Sequence, residues 1–236
     1  MFDLSESVNR RTAHEYVRDT LRVAILRGGI SGGTRLVQAD IAGKLGVSTT
    51  PVREALRDLA TEGLIELDAH RGAVVKKLRY DELIEIHELS KLVEPEAMRL
   101  AAALADPESL AEAERLADAM ESEQDVGRWV ELNRQFHECL VSAIGRPRML
   151  GVLKGLRDMI APYIGLALQH KDYRLGHANL HHRQLIDAVR TGAGDQAADL
   201  ASRHIDLTTE VLNDARHLFE PGQAAPEPDA GADAPT

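Results

Sequence analysis

Between Asp81 and Leu218 the chain keeps one periodicity, apolar residues spaced three and four apart, and loses it only at short breaks. The breaks are Asp106-Pro107, Gly127, Gly145 to Pro147, His170-Lys171 and Gly192 to Gly194, residues that stop one helix and start the next. The pattern predicts six helices, at about 81–105, 107–125, 128–144, 147–169, 172–191 and 194–218. Connections this short fold each helix back on the one before, so the expectation is an antiparallel bundle. Composition agrees: aromatic residues are only 3% of the chain, whereas sheets draw on Val, Ile and Tyr. No run of roughly 18 apolar residues exists, so no membrane-spanning helix is expected. The first residues lack the basic-then-apolar layout of a secretory signal. A single cysteine, Cys139, excludes an intrachain disulfide framework and fits a reducing cytoplasm. Cys139 reads as a small core residue.

The first 79 residues follow another plan. Residues from about Val8 to Arg27 have helical spacing and stop at Gly28-Gly29. A turn leads to a short helix, Gln38 to Leu45, closed by Gly46. In the next helix Ser48 is placed to cap, Pro51 falls in the first turn, and Val52, Ala55, Leu56 and Leu59 form the inward stripe up to Gly63. "LIELDAHRGAVVKKL" then reads as two short strands around a turn at Arg71-Gly72. Three helices, a tight turn at Gly46-Val47-Ser48 and a hairpin make a winged helix-turn-helix pattern. The expected fold is therefore mainly α. Residues 1–79 form a winged helix-turn-helix joined to a bundle over 80–219, and the Pro- and acid-rich 220–236 form a disordered tail.

Charge divides the chain in the same place. Residues 1–79 hold 13 Lys and Arg against 10 Asp and Glu, whereas the remainder holds 15 against 28. The net charge of −10 therefore hides a mildly basic part joined to a strongly acidic one, an asymmetry that suits two different tasks. The first residues of the second helix in such a motif enter the major groove of DNA. Thr49, Thr50 and Arg53 lie on its leading edge, where the planar fork of Arg53 fits guanine O6 and N7. Ser48, Arg35 and Lys44 border the same surface and are placed for phosphate contacts. Arg71 and Gly72 stand at the wing tip, one suited to a narrow minor groove and the other to close backbone approach. The bland alternative is that Arg53 pairs with Glu54 or Asp58.

In the bundle, "NRQFHECL" puts Asn133 and His137 one turn apart on one helix face. Alone, the pair is as readily a polar patch as a metal site. Two further helices change the balance. His182 shares a face with Leu185, Ile186 and Val189, and His204 shares one with Leu200, Leu207 and Val211. Three inward imidazoles without partners are costly in an apolar bundle, and one divalent ion satisfies them together. Imidazoles suit Zn, Ni, Cu, Co or Fe, with an amide or carboxylate oxygen completing the set. His177 and His181 form a competing pair, placed by their spacing on a solvated face.

Two resemblances carry these readings further. The segment from Leu21 to Val75, with "PVREAL", "EGLI" and Gly72 in order, resembles the winged-helix domain of the GntR superfamily of bacterial transcriptional regulators. The resemblance implies that Arg53 reads a base and that Gly72 approaches the minor groove. Thr49 stands where many members have arginine, Ala39 where a basic residue is common, and Gly33 in place of a proline. The segment from about Asp81 to Leu218, with "LVEPEAMRLAA", "NRQFHECL" and "HHRQLIDAVRTGAGDQAADLASRHI", is similar to the FCD effector domain of the FadR-like branch, a bundle of six or seven helices. Its metal-binding members use an Asp or Asn and three His, implying Asn133, His137, His182 and His204 here. Zinc stands first among the ions, with nickel, manganese or iron as others. In that family small organic acids often sit on the metal through a carboxylate, which the resemblance implies for this chain. Many members place arginine where this chain has Ser90, beside Lys91, so Arg134 or Arg157 would have to take its place beside the effector.

The function expected is a cytoplasmic, dimeric transcription factor. Two winged helices would bind two half-sites of double-stranded operator DNA, with repression relieved when a small acid binds the bundle. An ion that is itself the signal, or purely structural, is an alternative. A metal-dependent hydrolase is another, but it needs a general base beside the ion, and Glu138 points off the site.

Overall fold

The computed structural model describes residues 12–68, 71–170 and 175–219; the first turn expected from Val8 and the tail from 220 lie outside them. Helix α1 (Ala13–Leu26) is fixed at its start by a reciprocal cap. Glu15 N donates to Thr12 Oγ1 at 3.2 Å, and Thr12 N donates to Glu15 Oε2 at 2.9 Å. Helix α2 (Gln38–Leu45) ends on Gly46 at φ +68°, a left-handed conformation that glycine adopts without strain. Helix α3 (Thr49–Thr61) buries Val52, Ala55, Leu56 and Leu59, the expected stripe. Ser48 occupies the N-cap position, but its side chain makes no capping bond, so that expectation is corrected.

The wing is a three-stranded antiparallel sheet in the order β1-β3-β2: β1 (Arg35–Leu36), β2 (Ile65–Asp68) and β3 (Gly72–Val75). Arg35 pairs with Val74 and Asp68 with Gly72. The hairpin was expected; β1 was not, because two residues are too few to show an alternation.

The bundle holds six helices: α4 (Tyr80–Leu104), α5 (Pro107–Ser122), α6 (Val126–Val141), α7 (Pro147–His170), α8 (Leu175–Arg190) and α9 (Gly194–Asp214). Short 3-10 turns at Ser142–Ile144 and Arg216–Leu218 follow α6 and α9. Asp106 and Asp125 cap α5 and α6 through Ser109 N (2.8 Å) and Arg128 N (2.9 Å). Gly127, read above as a break, lies inside α6. A Cβ there would stand 3.0 Å from Val23 O, so the glycine serves the approach of α1 rather than a turn.

Helix α4 packs along α9, α5 lies between α6 and α8, and α7 closes on α6 and α4. One apolar cluster runs from Val17 and Leu56 in the winged helix to Met98, Phe136 and Leu185 in the bundle. A second gathers Leu83, Tyr163, Leu212 and Phe219. Helix α1 is the bridge, seated on α6 and α7. There Gly165 meets the Leu26 carbonyl, Gln169 Nε2 donates to Leu26 O at 3.2 Å, and Arg27 pairs with Asp125 at 2.7 Å. Among the described residues no helix is long and apolar enough to cross a membrane.

Candidate functional site

At the winged end, Ser48, Thr49, Thr50 and Arg53 are all exposed at the start of α3, and Lys44 is exposed at the end of α2. Arg35 on β1 and Arg71 and Gly72 at the hairpin are exposed as well. Glu54 and Asp58 form no ion pair with Arg53 among the described residues; Asp58 faces His14 at 2.7 Å instead. Arg53 therefore keeps its donors for another partner. Arg71 stays beside its own hairpin, its N–H donating to Asp68 Oδ1 at 2.7 Å, with a side chain 72% exposed. Gly72 sits at φ +76° with nothing within 4 Å of a would-be Cβ, so it opens the wing tip to a surface laid against it.

In the bundle His137, His182 and His204 converge from α6, α8 and α9. Their ring centres are 5.2, 4.9 and 5.1 Å apart, close to an equilateral triangle, and their candidate ligand atoms all lie within 4.8 Å of one another. A metal–nitrogen bond of about 2.0–2.1 Å puts an imidazole centre roughly 3.2 Å from its ion, and three such rings at near-tetrahedral angles are spaced roughly 5 Å apart. The triangle has that spacing. Both nitrogens of His182, Nδ1 of His137 and Oδ1 of Asn133 are buried with no hydrogen-bond partner. Each unmet group costs about 1–3 kcal/mol. An ion takes one nitrogen from each imidazole, so it would meet one of the His182 nitrogens together with His137 and His204, with the Asn133 amide oxygen beside the same cavity, and the residues fit one.

Electrostatics agree with that chemistry. Burial, then the neighbouring imidazoles, pushes His137 and His182 well below the usual histidine range, and burial lowers His204 to about 4. All three are neutral near pH 7, the form that ligates. His182 is fully buried, with the Phe136 ring 4.5 Å away.

In front of the triad lies a cavity of about 150 Å³, lined by Asn133, His137 and His204 together with Ser90, Arg134 and Arg157. A void that size admits a guest comparable to benzene. The two arginines differ. Arg134 donates to Glu131 at 2.8 and 3.1 Å and to Glu138 at 2.8 Å, with Asp158 at 3.7 Å. Burial works against its charge, but those three carboxylates more than offset it and raise its pKa. Arg157 has one long contact, Nη2 to Glu94 at 3.5 Å, and its Nε is buried without a partner. Of the two, Arg157 has the donor to spare. Lys91 is taken by Asp206.

His181 was expected on a solvated face. It is half-buried and lines the same cavity, its ring 6.3 Å from His204, because α8 packs against both α5 and α9 and its stripe beside His182 still meets a neighbour. His177's side chain lies outside the described residues. The sequence reading missed His87, Glu94 and Trp129, which line the cavity too. The available signal was His87, Ser90 and Glu94 at i, i+3 and i+7 on α4. Glu138 is ion-paired with Arg134 at 2.8 Å.

Comparison with known proteins follows this division. Residues 13–75 match the family described as bacterial regulatory proteins, gntR family, and residues 85–207 match the FCD domain. The probable D-xylose utilization operon transcriptional repressor of Paenarthrobacter nicotinovorans is 29% identical over 207 residues, 85% of this chain and 89% of that protein. A GntR-family transcriptional regulator from Pseudomonas syringae pv. tomato str. DC3000 has a crystal structure with a TM-score of 0.54 at 28% identity, covering 90% of this chain and 89% of that one. E. coli McbR/YncC shares the fold, with a TM-score of 0.73 at 20% identity over 86% of this chain and 98% of that one.

Proposed function

The chain belongs to the GntR family of bacterial regulatory proteins and carries the FCD domain, and from that premise we propose a metal-anchored, acid-responsive repressor. It is a DNA-binding transcriptional regulator, and its families and relatives are regulators rather than enzymes. In the proposed reading two copies set their α3 helices in successive major grooves of an operator. Arg53 reads a base there, Thr49 and Thr50 contact bases or phosphates, and Arg35, Lys44 and Arg71 hold the backbone.

The single observation behind the effector half is the triangle of imidazoles, two buried and one half-buried, with orphaned atoms beside a cavity. Asn133, His137, His182 and His204 would hold a divalent ion, zinc first. When bound, the ion supplies a Lewis-acidic anchor for a carboxylate. The amide of Asn133 leaves this donor set one negative charge poorer than a carboxylate would, which favours an anionic ligand. Arg157 is placed to meet the acid with its spare Nε–H.

The test is a thermal-shift titration of the purified chain with small carboxylates, before and after chelation. A ligand at about 100 times its Kd adds roughly 2.7 kcal/mol, or roughly 5–10 °C in a chain this size. A shift from one acid that disappears on chelation is the expected result. Chelation that melts the protein, with no acid shifting it, makes the ion structural. Operator binding that follows the ion alone makes the ion the signal.

A further inference from the structure

The winged helix passes into the bundle through four residues, Lys76 to Arg79, between the end of β3 and the start of α4. Little of that stretch is free. Lys76 N donates to Leu64 O at 3.0 Å, so the first linker residue still belongs to the wing, and its side chain pairs with Glu82 on α4. Leu78 packs on the second apolar cluster. Arg79 stands at the N-cap position of α4 with its side chain turned to Asp81, so it makes no capping bond of its own.

A group from another helix holds Arg79 instead. Tyr163 on α7 is 1% exposed. Its hydroxyl donates to Arg79 O at 2.9 Å and accepts from Arg79 N at 3.1 Å, with Glu82 Oε2 at 3.4 Å. One oxygen thus holds both backbone groups of one residue. Burial raises the phenol to about 12, so the hydroxyl keeps the hydrogen it donates. The ring packs among Leu83, Leu212 and Phe219, a place that a phenylalanine would fill as well. A buried hydroxyl costs free energy unless it finds partners, and the partners here are the linker backbone and the first turn of α4. The same helix supplies the other attachment of the winged helix, Gly165 and Gln169 against α1. A body held at one point swings about it. Held at α1 and again at Arg79, the winged helix has a defined angle on the bundle.

We propose that Tyr163 is a positioning residue for operator binding: by fixing Arg79 it sets the angle of the winged helix on the bundle, and with it the half-site spacing that two chains accept. The proposal rests on the reading of two copies on one operator. One added base pair moves a half-site by about 3.4 Å and turns it by roughly 34°. Binding at two sites loses its avidity where geometry forbids simultaneous engagement. A held angle therefore makes affinity steep in spacing, and a loose one makes it shallow.

The test compares the full-length protein with Tyr163→Phe on duplexes derived from one that the wild type selects out of a random-sequence pool. Fluorescence anisotropy gives Kd for that duplex, for versions with the half-sites moved by one or two base pairs either way, and for a single half-site. Wild type should lose about tenfold for one base pair of change. Tyr163→Phe should lose about threefold or less, with its affinity for the single half-site unchanged. A variant that is merely less stable weakens every duplex alike and keeps the shape of the profile. Tyr163→Met, also without a hydroxyl, takes its place if the phenylalanine variant folds poorly. Hydrogen exchange reads the bond itself: the Arg79 amide should exchange about tenfold more slowly in wild type than in the variant. Exchange at the rate of an unstructured peptide in wild type overturns the proposal without any variant. Equal spacing profiles, with the full site bound more tightly than the half-site, overturn the role of Tyr163 and leave the two-copy reading standing. A full site bound no more tightly than one half-site removes that reading and the proposal together.

Discussion

An imidazole surrounded by apolar side chains holds a proton poorly, and the size of that penalty can be read from His87. Burial lowers its pKa to about 4; Asp206 on α9 pulls it up and Lys91 on its own helix pushes it down. In the unfolded chain the same side chain titrates near its ordinary value of 6.5. Between those two values the unfolded state takes up a proton that the folded state refuses, so stability rises with pH across the window. The protein should therefore lose stability as pH falls from about 6.5 toward about 4, and His87 should stop contributing below that. His87→Phe removes this one titration and leaves the three metal-site histidines common to both proteins. Thermal unfolding of wild type and variant at matched zinc load should show the variant falling less steeply inside the window and in parallel with wild type above it. Parallel curves throughout would mean that His87 finds a partner in solution and is not the bare imidazole of the structure. The contrast with His204, also lowered to about 4, is one of company: His204 has two other imidazoles within 5.1 Å, and His87 has none among the described ring contacts.

At the scale of elements, the link between the two halves is a seat of small residues under α1. A Cβ at Gly165 would fall 2.3 Å from the Leu26 carbonyl, and both atoms belong to helical backbone that cannot step aside cheaply. Gly165→Ala should destabilise the protein by about 1–3 kcal/mol, the usual cost of overpacking, and should loosen α1 from α7. Gly151, on the same helix with nothing within 4 Å of its would-be Cβ, is the matched control. Alanine there should stabilise by up to about 1 kcal/mol through helix propensity. Thermal unfolding compares the two, and acid-dependent operator binding should be weakened only in Gly165→Ala. Equal behaviour of the two variants would remove the seat from the account of coupling. Much of this architecture was legible because caps and stops are local: Asp106-Pro107 and Gly192 each ended or began a helix as read. Gly127 misled because a glycine that admits a neighbouring helix looks, in one dimension, like a glycine that turns the chain. Strand β1 was too short to carry a period. In the site, the triad was legible because each histidine shares a face with apolar residues. His87 and His181 were not, because what they face is set by how α4 and α8 lie against α9, which no spacing within one helix records.

Across the whole molecule, ion pairs and one electrostatic interaction between Glu131 and Arg22 lead from the cavity toward α3, the helix proposed to read DNA. Arg134 lines the cavity and holds Glu131. Burial works against the Glu131 carboxylate, yet Arg134 and, across the domain boundary, Arg22 more than offset it and lower its pKa. Arg22, itself 6% exposed on α1, is hydrogen-bonded through Nε to Glu62 at 3.0 Å, and Glu62 is the residue on which α3 ends. In the proposed reading an acid on Arg157 would also bring a negative charge near Arg134, which lines the same cavity, and would weaken its hold on Glu131 and so the interaction of Glu131 with Arg22. Such a chain is a candidate route, and coupling along it is measured as a free energy, typically about 1–3 kcal/mol, or about 5–150-fold in affinity. Linkage makes the coupling reciprocal. If a saturating carboxylate effector weakens operator binding by some factor, a saturating operator must weaken acid binding by that same factor. Two titrations check it: operator by fluorescence anisotropy with and without acid, and acid by calorimetry with free and with operator-bound protein. Equal ratios are expected, and Glu131→Gln should shrink both together while the zinc site stays loaded. Unequal ratios would mean that the acid acts on something other than the two-site equilibrium, such as the assembly of two chains on DNA. Ratios that survive Glu131→Gln unchanged would move the coupling from the electrostatics of Arg134, Glu131 and Arg22 to the packing of α1 on α7.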